Sequence, residues 1–281
     1  MRAPFGSHFS QAVKNPLGRA YLQAFGWPNI STRVRANTVL PLLDAKRGEK
    51  ILDAGCGFGL YSLALAKKGI NSVGVDIDEE QVIAAKELAG KLKVPNVRFE
   101  AHDICNLPHE YKSFDKVLCV DVIEHIPDDE KAISELARVL KVGGILALTT
   151  PTPVSSQICF FHKDAAEAVG HVREGYTNEK LRGILERNGL LITEHRYYNR
   201  FFERFASEIN TTLLRSVGGS KELKKASEVG SLSNITNLLP VLLTFPPLFS
   251  MAKVDSIISP TIEKNCIAVR AKKLKASNTD R

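Results

Sequence analysis

Within the run ILDAGCGFGLYSLALAKKG, residues 51–69, Asp53 is followed by glycines at alternate positions, Gly55, Gly57 and Gly59. Glycine has no Cβ and tolerates positive φ, so a turn here can be tight and a ligand can come close to the backbone. A second carboxylate, Asp76, ends the run SVGVDID about twenty residues after the first glycine, where a carboxylate can take both hydroxyls of a ribose. A third, Asp103 in FEAHDI, follows another apolar run and falls within reach of an adenine ring. Asp53 discriminates among ligands, because a carboxylate beside the turn disfavours a pyrophosphate and favours a cationic group. No Gly-x-x-x-x-Gly-Lys-Ser/Thr run occurs, which argues against a P-loop enzyme.

Such residues need a scaffold that brings strand ends together. Short apolar runs rich in Val, Ile and Leu predict strands at Ile51–Asp53, Ser72–Asp76, Val97–Glu100, Lys116–Asp121, Ile145–Thr150, Leu190–Arg196 and Cys266–Arg270. Helical patterns lie between them. Leu60–Lys68 stops at Gly69, and Asp78 caps Glu79–Ala89 with Gln81 in a capping-box position. Asp128–Lys141 opens after Pro127, and Asn178–Arg187 opens on Thr177. Strand–helix alternation at this spacing predicts an α/β fold, a doubly wound, mostly parallel seven-stranded sheet. A ligand then binds in the crevice beyond the strands' carboxyl ends.

The chain has 281 residues, 44% hydrophobic and 25% charged, enough for one large α/β domain with additions. Its net charge of +7 permits a nucleic acid or an anionic membrane as partner without requiring either. Five cysteines without a Cys-x-x-Cys pair argue against a disulfide scaffold or a zinc ribbon, and no metal site is expected. The first fifteen residues hold no continuous apolar stretch, so the default location is cytoplasmic.

Read in order, LDAGCGFG, GVDID, HDICNLP, FDKVLCVDVIEHI and LKVGGILALTTP resemble the successive motifs of class I S-adenosylmethionine-dependent methyltransferases. The resemblance covers roughly residues 45–198 plus the final strand, and lies in the branch with small-molecule, quinone and lipid acceptors. It implies a Rossmann-like methyltransferase fold with S-adenosylmethionine as cofactor. Gly55, Cys56, Gly57 and Gly59 would line the methionine portion, with Asp53 holding its amino group through water or backbone. Asp76 would bind the ribose and Ile77 pack on adenine. Asp103 would accept from the adenine amino group with Ile104 stacking nearby. Asp121, at the end of the fourth strand, would face the methionine moiety and the acceptor.

Methyl transfer from a sulfonium needs alignment and exclusion of water, and an oxygen acceptor must also lose its proton. Two histidines are candidates for the base: His125 in DVIEHIP, beside the crevice, and His171 in GHVREGYT, on the loop after the fifth strand. Arg173 and Tyr176 on that loop are expected to bind the acceptor.

Four segments follow from this reading. Residues 1–45 form a helical lid or substrate segment broken at Pro4, Pro16, Pro28 and Pro41, and residues 46–198 form the cofactor-binding core. Residues 199–263 form a helical, apolar insertion, and 264–281 the last strand and a basic tail. Near the insertion, Tyr198, Phe201, Phe202, Phe205, Ile209, Leu213 and Leu214 fall at helical spacing among Arg196, Arg200, Arg204 and Arg215, a pattern suited to an anionic bilayer surface. The stretch from Leu238 to Ile258 is interrupted by Pro240, Pro246 and Pro247 and is too broken to span a membrane. It roofs a lipid-like substrate or meets the inner face of a membrane; the alternative is a cap on the sheet.

The leading expectation is a methyltransferase acting on a lipid-like or prenylated small molecule, with a soluble natural product as runner-up. Nucleic acid is disfavoured as acceptor, because the fourth strand lacks an Asp/Asn-Pro-Pro-Tyr/Phe motif and basic residues are dispersed. An oxidoreductase on the same sheet is disfavoured by Asp53 and the glycine spacing. A binding protein that has lost its chemistry would keep the cofactor pocket.

Overall fold

A computed structural model describes residues 30–153, 172–198 and 265–274, with isolated positions between 205 and 250. In chain order the elements are α1 (Ile30–Leu43), β1 (Lys50–Ala54), α2 (Leu60–Ala66), β2 (Asn71–Asp76), α3 (Glu79–Leu92), β3 (Val97–Ala101) and β4 (Phe114–Val120). A 3-10 turn (Ile123–His125), α4 (Asp129–Val139), β5 (Leu140–Pro151), α5 (Asn178–Arg187), β6 (Leu190–Tyr198) and β7 (Cys266–Lys273) follow.

The seven strands form one sheet in the order β3-β2-β1-β4-β5-β7-β6. The expected mostly parallel sheet is a mixed one: the pairings from β3 to β5 are parallel, whereas β7 runs antiparallel to both β5 and β6. The order reverses at β1, which lies between β2 and β4, and that reversal opens the crevice at the strands' carboxyl ends.

Period-two alternation sorts the strands' apolar residues onto two faces. Leu52, Ala54, Val117, Cys119, Leu146 and Leu148 pack beneath α4 and α5, while Ile51, Leu118, Val120 and Ala147 pack beneath α1 and α2. On α4 the buried set Ala132, Ile133, Leu136, Ala137 and Val139 forms one helical stripe, and each large side chain contributes about 1.5–3 kcal/mol by leaving water.

The helix caps expected at Asp78 and Thr177 form, their side chains accepting from the amides of Gln81 and Lys180, whereas Asp128, expected as the first residue of its helix, is the cap of α4 and accepts from the Lys131 amide. The capping box at α3 differs from expectation. The Gln81 side chain donates to Asp78 Oδ2, and the Asp78 amide donates instead to Asp76 Oδ1 at 3.0 Å. A carboxylate of the crevice thus completes the start of α3.

α1 runs through Pro41, where a break is expected from the sequence. Its apolar residues Ala36, Val39 and Leu43 pack on the sheet. The carbonyls at its end are met by cations, Leu42 O by Arg270 Nη1 and Asp44 O by Lys116 Nζ, which favours the negative end of a helix. α1 packs chiefly across β5, β7 and β6, and its second turn brings Arg35 within reach of Asp121, just beyond the end of β4. Tyr198 and Arg196 belong to β6 rather than to a helical stripe, and Tyr198 packs with Leu42, Cys266 and Ala268. The other aromatic and arginine positions named for the insertion lie outside the described residues, apart from Phe205 and Ile209.

Candidate functional site

The glycine turn leaves β1 with positive φ at Gly55 (74°), Gly57 (53°) and Gly59 (73°). A Cβ at Gly55 would run into the Val122 side chain, and one at Gly59 into Phe99. Close packing by the protein itself therefore demands glycine at both positions. The turn's amides are also consumed internally: Gly55 and Cys56 donate to Val75 O, Gly57 to Asp76 Oδ2 at 2.7 Å, and Gly59 to Cys56 O. A phosphate nest needs successive free N–H groups, and these four are not free.

Asp53 is 1% exposed, and its Oδ2 accepts from the Ser62 amide at 3.0 Å and hydroxyl at 2.6 Å. It supplies the cap of α2 that Gly59, having no side chain, cannot provide. Burial pushes its carboxyl up to about 6, against the pull of the Ser62 hydrogen bonds. The Cys56 side chain, expected at the cofactor, is buried with Leu63, Val82 and Phe99. Its thiol is pushed upward by burial, so only the Cys56 backbone faces the turn.

Asp76 and Asp103, expected at the nucleoside, follow the neighbouring strands β2 and β3. Asp76 pairs with Ala101 across the sheet, and the His102 amide donates to Asp76 O at 3.0 Å. Asp103 is exposed and holds its own loop by accepting from the Cys105 amide at 2.8 Å. Ile77, the residue after Asp76, stands 75% exposed, an apolar surface next to that carboxylate. Ile104, expected to stack beside it, is instead 5% exposed and packed in the main core.

Asp121 follows β4 with φ 52°, a left-handed conformation uncommon outside glycine and tolerated by aspartate. Its Oδ2 pairs with Arg35 Nη2 at 2.7 Å, and its Oδ1 accepts from Thr149 Oγ1 at 2.6 Å and from the Tyr198 hydroxyl at 3.4 Å. Arg35 was not singled out in the sequence, where nothing separates it from neighbouring Arg33. Behind this pair Glu124 is fully buried, with Oε2 accepting from Thr150 Oγ1 at 3.1 Å and Oε1 without a partner among the described residues. Burial first, and the Asp121 charge second, push its carboxyl up to about 8. His125 is half-buried on the 3-10 turn, and His171 lies outside the described residues.

Arg173 and Tyr176 correct the expectation that they bind the acceptor. Tyr176 is fully buried and donates to Asp129 Oδ2 at 2.6 Å. Arg173 Nη1 pairs with the same carboxylate and Nη2 donates to Pro127 O at 2.9 Å. Both residues face the start of α4. Asp129, which joins them, is the residue that sequence reading passed over, since an aspartate in a first helical turn already suits the helix dipole. Among the described residues no group of His, Cys, Asp and Glu is arranged to hold a metal ion.

Comparison with known proteins places this geometry in a family. Over 104 residues the chain is 38% identical to a protein of Coxiella burnetii named ubiquinone biosynthesis O-methyltransferase, covering 37% of this chain and 44% of that one. It spans less than half the length of such curated relatives. The solved [4+2]-cyclase SpnF shares the fold with a TM-score of 0.55 at 20% identity, covering 86% of this chain and 79% of that one. So does phosphoethanolamine N-methyltransferase 2 of Haemonchus contortus, solved with S-adenosyl-L-methionine, at 0.54 and 23%, covering 84% and 51%. Residues 45–195, more than half of the chain, match the methyltransferase domain, and the chain belongs to that family.

Proposed function

We propose that this protein transfers a methyl group from S-adenosylmethionine to an oxygen of a lipid-like, prenylated aromatic acceptor. The observation that carries the cofactor assignment is Asp76 at the end of β2, with exposed Ile77 next to it and Asp103 two residues past its neighbour Ala101 on β3, beside a glycine turn in which the Gly55, Cys56, Gly57 and Gly59 amides are already satisfied. Two acceptor carboxylates suit the donors of a ribose diol and an adenine amino group, and Ile77 suits a purine face. The satisfied amides suit a ligand without phosphate. The acceptor class is argued from the ubiquinone O-methyltransferase relatives, because ubiquinone is a prenylated quinone.

When bound, S-adenosylmethionine supplies an electrophilic methyl group on a sulfonium. The protein's part would be to hold the acceptor oxygen in line with that methyl group and to take its hydroxyl proton. Alignment alone is worth about 7 kcal/mol or more in well-oriented systems. Asp76 and Asp103 fix the nucleoside end, and Asp121, clamped by Arg35, Thr149 and Tyr198, places its carboxylate toward the methionine end. Glu124, with its carboxyl raised to about 8, keeps its proton at neutral pH and is unsuited to act as base. That role falls to His125 or His171. In this reading residues 1–45 serve as a lid or substrate segment, and residues 199–263 either cap the acceptor or dock the protein on a membrane surface. Among the described residues no helix is long and apolar enough to cross a membrane.

The test uses methyl-labelled S-adenosylmethionine with a short-chain prenylated phenol, and with the same phenol lacking the prenyl group. Binding of the cofactor and extractable label dependent on the prenyl group are expected. Binding without transfer overturns the acceptor assignment, and absence of binding overturns the cofactor assignment.

A further inference from the structure

The 3-10 turn that follows Asp121 carries Glu124 and His125, yet it supports itself poorly. Its internal backbone bonds are His125 N to Val122 O at 2.9 Å and Ile126 N to Ile123 O at 3.3 Å, and single 3-10 turns have weak hydrogen-bond geometry. Glu124 O, Pro127 O and Ile123 O, the last already accepting from Ile126, are met from one short segment, residues 172–176. The Val172 amide donates to Glu124 O at 3.0 Å. Arg173 donates through Nη1 to Ile123 O at 3.4 Å and through Nη2 to Pro127 O at 2.9 Å. The Tyr176 hydroxyl lies 3.4 Å from Ile123 O, and both side chains meet on Asp129.

That segment is itself fixed to the end of β5. The Tyr176 amide donates to Pro151 O at 2.9 Å, and Gly175, at φ 119°, lies so close that a Cβ would strike the Pro151 carbonyl. Residues 172–176 thus form a strap from the tip of β5 to the turn beyond β4. One guanidinium in it spans the turn from Ile123 to Pro127 while paired to the first residue of α4. A planar fork can reach two carbonyls and a carboxylate at once, whereas a lysine ammonium offers a single point charge.

We propose that Arg173 is a positioning residue, setting through the backbone of Ile123–Pro127 where Asp121 and His125 present their side chains. The inference rests on the methyl-transfer reading for its kinetic consequence but not for its structural one. Asp76 and the glycine turn lie on β1 and β2, outside the strap, so cofactor affinity and turnover should separate.

The experiment compares Arg173→Met and Arg173→Lys with the parent protein by cofactor calorimetry, labelled methyl transfer to the prenylated phenol, and amide exchange read by mass spectrometry. In Arg173→Met the cofactor Kd should stay within about twofold and kcat per folded molecule should fall on the order of 10- to 100-fold, as for misplacement near 1 Å. Exchange should quicken at 122–126 and not at 55–62, and Arg173→Lys should recover only part of each change. A merely structural arginine would lower Tm and leave kcat per folded molecule intact, which overturns the proposal. If the parent protein does not methylate the phenol, the functional reading fails while exchange at 122–126 still judges the strap. Unchanged exchange there overturns it.

Discussion

Glu124→Gln isolates the buried carboxyl behind the crevice. In the folded protein that group is raised from 4.5 to about 8, by burial first and by Asp121 second, against the opposing pull of its backbone and Thr150 hydrogen bonds and Arg35. Between those two values the unfolded chain releases a proton that the folded chain retains. Unfolding therefore becomes more favourable as pH rises, and stability present below 4.5 is lost as pH climbs through 8. Each pH unit in that window is worth about 1.4 kcal/mol, so by pH 7 the native carboxyl costs about 3 kcal/mol relative to pH 4.5. A glutamine has nearly the same shape, can accept from Thr150 and does not titrate. Urea unfolding at pH 5, 6, 7 and 8 should show the variant close to the parent at pH 5, about 3 kcal/mol more stable at pH 7, and no further ahead above pH 8. For a chain of roughly this size the pH 7 difference corresponds to about 6–12 °C in Tm. Asp53, raised to about 6, moves stability in the same direction but does so in both proteins and cancels in the comparison. Parallel curves from pH 5 to 8 would mean that Glu124 is ionised in the fold, and the reasoning from its burial would be wrong.

Two further expectations concern the cofactor pocket. Asp76→Asn removes the charge proposed to hold the ribose hydroxyls and weakens the bonds to Gly57 and Asp78, so the cofactor Kd measured by calorimetry should rise about tenfold or more; an unchanged Kd in a normally folded variant would falsify the assignment. Gly55→Ala places a Cβ against Val122 at φ 74°, and denaturation should show a loss of about 1–3 kcal/mol, whereas a neutral result would mean that the β4 turn can retreat without cost.

Local chemistry was legible where a residue acts on its near neighbours. Asp78, Asp128 and Thr177 announce helix starts because a cap works within three residues, and each does so in the fold. The strand runs and the carboxylates Asp76 and Asp103 were legible for the same reason, since a strand's end and the loop after it are adjacent in the chain. Irregular loops carry no such period. The resemblance implies that Cys56 and Ile104 meet the cofactor, but their side chains are buried in the core while Ile77 is exposed.

By itself the sequence determined the alternation of strands and helices, the glycine turn and the carboxylates at successive strand ends, all set by hydrophobic period and backbone permissiveness over a few residues. Only the tertiary structure decided that β7 enters antiparallel, because pairing direction depends on how the chain returns to the sheet and not on the strand's composition. It alone decided that Arg35 clamps Asp121 and that Arg173 and Tyr176 grip the start of α4 rather than an acceptor. Those partners are distant in sequence, and an exposed arginine and a buried one read alike until packing brings a carboxylate within reach.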